Sequence, residues 1–535
     1  MKVIKKLFKW LDQHALEVIA GFLLVFIPLY PKWPLTDVLP GYIVRLRLED
    51  LIISFVYLFW LIQLVRKKVS LRDNPLTIPI LLYFFIGFLS SISALFISKT
   101  VPLERIHIAK LFLHWARRIE YMSLAFIFFS AVKTKAQLRR LITIFSLVVV
   151  LSAIYGLGQK YDQWPVYSTM NREFAKGWRL VLTQHARVPS TFAGHYDFAA
   201  FTVIALSIIT SILVGIKKTK ITRILLIIVF TSALISLLLT ASRTSFIAYL
   251  VAVTAVMLLF AYKKGWLWSL PRWSSIVGIS LLAMLFFGDL SDRFAHVLRI
   301  DQFKEYISGE IGKIISSGKQ KPLRVAVSDD LSLVYTDTDQ PPVRLNELPP
   351  DVFENIPETF PEATLSATSP EELERISTLA GKPRTYSPTA FTFGLSSAIR
   401  FDALWPRAIE GFKKNPLLGS GYSTLIKTQF TEFTEAESTD NDYLRALGET
   451  GLLGFLSFFG ILIFSLYKIY LKKDKIKDPF YSSIIIGISG AVIGMMVNGL
   501  YIDVFEASKV AYIFWALMGI LFAAINLSNK KTVNE

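Results

Sequence analysis

The sequence predicts an all-α polytopic membrane protein of about twelve transmembrane helices with a large extracytoplasmic loop domain. Three observations carry that expectation. The 535 residues are 53% hydrophobic and only 19% charged, too little polar surface for a soluble globule of this size. The apolar runs are mostly about 18 to 22 residues long, the length of helix that crosses about 30 Å of hydrocarbon, and they lack the alternation of barrel strands. Lysine and arginine cluster at every second boundary of these runs, as the positive-inside rule requires.

Taken in order, the spans centre near residues 23, 57, 88, 124, 148, 206, 232, 253, 281, 461, 490 and 517. The first follows the basic flank "MKVIKKLFKW" and ends in "FIPLYPKWP" with no small-residue cleavage site, so it reads as a retained helix. The basic clusters "VRKKVSLR", "VKTKAQLRR", "IKKTKITR", "YKKGW" and "YLKKDKIK" place both termini in the cytoplasm and the alternate loops outside. The net charge of +17 is therefore a topology signal and an affinity for anionic membrane lipid, with no nucleic-acid partner implied. Cysteine is absent, which excludes disulfides, thiol catalysis and thiolate metal sites.

Three regions follow: a bundle of the first nine helices over 1–288, an extracytoplasmic loop domain over 289–449, and the last three helices with a cytoplasmic tail over 450–535. The outside segment 158–195 is too long for a simple connector, and 289–449, roughly 160 residues and acidic by about seven, is large enough for a domain. Within the latter, "KPLRVAVSDDLSLVYTDTD" reads as a hairpin turning at Asp329 and Asp330. Ser369 and Pro370 read as the cap and first residue of a brief helix. The stretch 318–393 is a probable insertion to which no chemistry is assigned.

The apolar run 224–261 is about twice one membrane crossing, so it must be two helices, and Arg243 marks the turn between them. Alone, such an arginine caps carbonyls or snorkels to headgroups. The sharper reading is that its guanidinium binds a phosphate group at the outer interface, a task suited to planar bidentate donors. Near the end of the large loop, Arg400 precedes an amphipathic helix bearing Leu404, Trp405, Ala408, Ile409 and Phe412. "GSGY" then makes a tight, backbone-exposed turn. Asp440, Asn441 and Asp442 stand directly before a helix entering the membrane, where helix capping alone accounts for them equally well.

Together, "SRTSFIAYL", Arg400 followed by "ALWPRAIEGFKKNPLLGSGYS", and "DNDYLRALGETGLLG" resemble, in order and spacing, the O-antigen ligase and polymerase family. The resemblance runs from about residue 150 to about 500, outside the insertion; "HARVPSTFAGHYDFAAF" is similar to the family's arginine-bearing segment before a membrane helix, here with Arg187. It implies a metal-independent membrane glycosyltransferase of polysaccharide biosynthesis in the cell envelope, as for lipopolysaccharide. Such an enzyme takes a polyprenyl-diphosphate-linked oligosaccharide donor and a glycan, lipid or protein acceptor, at the outer face of the cytoplasmic (inner) membrane. Arg243 and Arg400 match the family's two functional arginines. The family's third position is usually a histidine in a His-Asn-x-x-Leu pattern; here it is Asp440, followed by Asn441 and Leu444.

The expected site is thus Arg243, Arg400 and Asp440 in catalysis, with Arg187, His195, Asn441, Asp442 and Arg117 binding substrate, and no metal or cofactor. The guanidinium groups would stabilise charge growing on the departing diphosphate, and Asp440 would orient the acceptor hydroxyl or take its proton. Aspartate is a weaker base than histidine, and His195, beside Asp197, is the candidate substitute, against the plainer reading of a helix-start residue. Tyr196 and Asp197 remain undecided. Arg117, Arg118 and Glu120 read by default as a solvated or mutually paired face, and Asp503, Glu506 and Lys509 as a solvated loop. Trp164, Tyr167, Trp178 and Trp405 fall on outside segments where they are open to sugar stacking.

Two other classes compete. A transporter or lipid flippase would carry ionisable groups near the bilayer midplane, whereas the spans near 57, 88, 148, 206, 253 and 461 are nearly free of charge. A catalytically inert envelope-assembly factor would tolerate alanine at Arg243.

Overall fold

The computed structural model describes residues 2–39, 45–170, 174–183, 186–286, 359–361, 387–425 and 438–531. The expected hairpin at Asp329, the helix start at Ser369 and most of the 318–393 insertion lie outside the described residues. The rest is mostly helical. In chain order the helices are α1 (Lys2–Leu29), α2 (Leu48–Val65), α3 (Thr77–Phe96), α4 (Arg105–Ala131), α5 (Lys135–Tyr161), α6 (His195–Gly215), α7 (Lys220–Leu239), α8 (Arg243–Lys264) and α9 (Trp266–Phe286). After the long loop come α10 (Pro388–Phe393), α11 (Leu395–Ile399), α12 (Trp405–Lys414), α13 (Asp442–Lys472), α14 (Pro479–Asn498) and α15 (Ser508–Lys531).

Each span centre read from the sequence falls inside a long helix. Among the described residues nine of these are long and apolar enough to cross a membrane: α2, α3, α5, α6, α7, α8, α13, α14 and α15. The apolar part of α1 is shorter, His14–Leu29. In α4 the interior carries Arg117, Arg118 and Glu120, and the start of α9 is broken up by Pro271 and Arg272.

Helices α6 and α15 form the centre, with 89% of their apolar windows buried, and α14 follows at 78%; α2 and α7, at 33%, present apolar side chains outward, as lipid-facing helices do. Small and hydroxylated residues let the central helices approach. A Cβ added at Gly487 would lie 2.8 Å from the Ile208 Cα, and the Ser207 and Ser211 hydroxyls donate to the carbonyls of Gly487 and Ser483 at 2.8 and 2.6 Å.

Sheet is limited to two short antiparallel pairs: β1 (Pro34–Asp37) with β2 (Arg45–Arg47), and β3 (Leu180–Leu182) with β4 (Thr359–Pro361). Both lie at the end of the bundle opposite the basic connections, and the second joins the large loop to the 158–195 segment. At this same end Lys509 is fully buried and donates to the Pro28 and Thr191 carbonyls at 3.2 and 2.7 Å, while Lys32 pairs with Glu49 at 2.9 Å. The sequence reading of Lys509 as part of a solvated loop is therefore overturned: a buried ammonium is tolerable here because carbonyls surround it.

Helix α13 breaks at Gly451, whose φ of 66° and ψ of −168° lie outside the helical region. The "GSGY" turn fills the break, with Ser420 N and Gly421 N donating to the Gly448 and Glu449 carbonyls at 2.9 and 2.8 Å, and Leu452 N to the Pro416 carbonyl at 2.8 Å. The turn's backbone is thus paired rather than exposed. A Cβ at Gly451 would come within 2.4 Å of the Leu417 carbonyl carbon, in a conformation that only glycine adopts without strain. Gly451→Ala is expected to destabilise the protein by about 2 to 3 kcal/mol, seen as a lower Tm of detergent-solubilised protein.

Candidate active site

Three local structures set the site. The α7–α8 connection is only Thr240, Ala241 and Ser242; Ala241 takes a left-handed φ of 48°, and Ser242 caps α8 by accepting from Ser245 N. Arg243 is consequently the first residue of α8, half-buried at the bundle end. Arg400 opens a π-helical turn, Arg400–Leu404, that joins α11 to α12, a widened turn that recurs at functional sites. Asp440 has a left-handed φ of 51°, tolerated by aspartate, immediately before Asn441, whose side chain caps α13 by accepting from Tyr443 N and Leu444 N at 3.0 and 2.9 Å.

Arg400 is the hub. It is 4% exposed, and its guanidinium meets the Asp440 carboxylate at 3.1 Å, the Ser396 carbonyl at 2.7 Å and the Ser396 hydroxyl at 2.6 Å, and covers the Tyr501 ring at 4.6 Å. Burial opposes its charge, but Asp440, Tyr196 and Tyr501 outweigh that, so the group's pKa is raised and it stays cationic. Its Nε is buried with no hydrogen-bond partner among the described residues. Tyr196 is near enough to Arg400 to favour its charge, its hydroxyl accepts from Arg187 at 3.1 Å, and Arg187 contacts the His195 ring at 2.8 Å. One tyrosine therefore stands between two buried arginines, and the Asp440 carboxylate, whose side chain is 30% exposed, faces Arg400.

Beneath this cluster lies a second set of charges. Asp503 accepts from Thr439 N and Asn441 N at 2.8 Å each and from Arg445 at 2.9 Å, and so fixes the backbone on both sides of Asp440. Arg445 also reaches Glu449 at 3.4 Å and Glu506 at 3.8 Å, and Arg118 pairs with Glu506 and, at 3.7 Å, with Glu449. Asp503 and Glu506 are thus ion-pair partners rather than the solvated loop read from the sequence. Burial alone would raise the Glu506 carboxyl; Arg118 and Arg445 reverse this and hold it below its ordinary value. With the folded pKa depressed, its stabilisation is complete above the ordinary carboxylate pKa and is lost as pH falls through the lower folded value. The Tm gap between wild type and Glu506→Gln is expected to be widest near neutral pH and to close on acidification below about pH 4.5.

The structure brings Arg187, His195, Arg400 and Asp440 together directly. Arg243 stands at the same end by shorter relays: Val188 N donates to the Leu239 carbonyl at 3.1 Å, and the Ser245 hydroxyl donates to Asn498 at 3.2 Å, next to Gly499, whose carbonyl accepts from Asp442 N at 2.8 Å. The other expected binding residues are engaged within the protein. Asn441 caps α13 and donates to the Leu500 carbonyl at 2.9 Å, Asp442 accepts from Val504 N at 2.9 Å, and Arg117 pairs with Asp50 at 3.1 Å. The Trp405 indole packs edge-on to Tyr501, centroids 5.9 Å apart, whereas Trp164 and Trp178 are exposed at this end. Sequence reasoning missed Tyr501 and Asp503 as site residues. Among the described residues, no three His, Asp or Glu side chains converge as metal ligands.

Residues 226–459 match the family model described as O-antigen ligase. This stretch of the chain is similar to the O-antigen ligases. It runs from α7 into α13 and includes Arg243, Arg400 and Asp440, while Arg187, His195, Tyr501 and Asp503 come from outside it. With nine helices among the described residues long and apolar enough to cross a membrane, the similarity fits a multi-pass membrane protein. No curated protein matches the chain.

Proposed function

We propose that the protein transfers an oligosaccharide from a polyprenyl-diphosphate carrier to an acceptor hydroxyl at the outer face of the cytoplasmic membrane. In this reading all twelve long helices cross the bilayer, the basic connections and both termini are cytoplasmic, and 289–449 is the extracytoplasmic domain between the 1–288 and 450–535 helices. The observation that carries the reading is Arg400: a buried guanidinium whose Nε has no hydrogen-bond partner among the described residues, with Tyr196 between it and Arg187, facing a partly exposed carboxylate, Asp440.

The acceptor hydroxyl attacks the anomeric carbon, the bond from that carbon to the diphosphate oxygen breaks, and the electron pair leaves with the diphosphate. Arg400 and Arg243 meet the negative charge that grows there, an interaction stronger in the transition state than before it. Asp440 orients the hydroxyl and receives its proton. Tyr196 and Arg187 set the surroundings of Arg400, and His195, in contact with Arg187, has the role of positioning Arg187.

The test incubates protein in nanodiscs with a polyprenyl-diphosphate oligosaccharide and candidate acceptors, following released polyprenyl diphosphate and product mass. Coupled release and glycan transfer are expected. Movement of intact donor between leaflets, with no cleavage, would instead reveal a transporter.

A further inference from the structure

The end of the bundle opposite the candidate active site holds a cavity of ≈ 450 Å³. It opens where α6 ends, between the end of α8 and the connection from α13 to α14. Four lysines line it, Lys263, Lys264, Lys473 and Lys477, against a single carboxylate, Asp474. The neighbouring Asp478 is already matched by Lys135 at 2.5 Å.

The lysines are held in place. Lys263 donates to the Ile476 carbonyl and the Ser482 hydroxyl at 3.0 Å each, and Lys264 to the Gly215 carbonyl at 3.1 Å. Lys473 lies over the Tyr262 and Tyr470 rings at 4.0 and 3.9 Å. An ammonium has three donors, so each retains capacity toward the cavity. Excess positive charge gathered in a concave, partly apolar site concentrates anions.

Location narrows the anion. The cavity sits where α8 and α13 end, the level at which helices that span a bilayer meet its headgroups. Tyr262 and Tyr470, 63% and 62% exposed, mark that boundary as interfacial aromatics do. Phe260 and Pro479 supply apolar wall beside the ammonium groups. We infer that this cavity binds a phosphate group, carried by an anionic membrane phospholipid, at the membrane face opposite the transfer chemistry. Basic pockets between transmembrane helices recognise phospholipid headgroups in this way.

The test uses delipidated full-length protein in a neutral detergent, with phosphatidylglycerol, phosphatidylcholine and inorganic phosphate as separate probes, read by native mass spectrometry and by Tm. Phosphatidylglycerol should bind and raise Tm, and phosphatidylcholine should do neither. The double variant Lys473→Gln/Lys477→Gln should bind phosphatidylglycerol about tenfold more weakly and keep the lipid-free Tm of wild type. A control pair at the same end but outside the cavity, Lys67→Gln/Arg72→Gln, should leave binding unchanged. Competition by inorganic phosphate would support the site and assign recognition to the phosphate itself; its failure to compete, with phosphatidylglycerol bound, would support the site and assign recognition to the whole lipid. Equal binding of phosphatidylcholine, equal loss in the control pair, or unchanged binding in the cavity variant would overturn the inference.

Discussion

Arg400→Ala is expected to lower transfer from the proposed lipid-linked donor by about 10² to 10³-fold, the usual loss when one preorganised donor to a developing anion is removed. The size follows from the setting. Arg400 is buried and held by Ser396 and Tyr501, so on the proposed reading it would stabilise charge without reorganising as the bond breaks. Lysine at this position keeps the charge but loses the planar fork and the stacking on Tyr501, so Arg400→Lys should fall between alanine and wild type. Steady-state kcat/KM for the three proteins, with Tm as a folding control, checks this. Full activity of the alanine variant would remove Arg400 from the reaction.

Asp440→Asn preserves shape and can still accept the 2.5 Å hydrogen bond from the Ser438 hydroxyl, but it loses the charge that faces Arg400 and the capacity to take a proton. Turnover at saturating donor and acceptor should fall by about 10²-fold or more, within the range for a positioned base, with donor KM little changed. A second effect separates this from structural damage: Asp503, not Asp440, holds the flanking backbone amides, so the variant should lose only the part of Tm due to the Asp440–Arg400 pair and keep its fold. Wild-type turnover would take Asp440 out of proton transfer.

The apolar runs made the helices legible because each is a local property of about 20 consecutive residues. Arg243 could be placed at a turn for the same reason, and the capping role of Asn441 was visible as a polar residue ahead of an apolar run. The rest depends on residues far apart in sequence. Asp503 lies 62 residues from the Asn441 amide it accepts from, and 58 from Arg445, and no local pattern announces either contact. Glu506 and Lys509 looked solvated because a short polar loop between two apolar spans ordinarily is; their partners on α4 and in the loop after α1 draw both into the protein, Lys509 completely. Arg445 and Glu449, four apart on one helix and just inside the membrane boundary, were the available signal that charge is paired below the surface. Gly451 was readable as a glycine but not as a break, since the break exists only because the "GSGY" turn supplies the missing partners.

The most direct test is a single-turnover measurement of polyprenyl diphosphate release by wild type, Arg243→Ala, Arg400→Ala and the double variant in nanodiscs. If both guanidinium groups receive the leaving diphosphate, each single variant is slow and the double is slower still, with helical content unchanged. Release by the double variant at the wild-type rate would contradict the account.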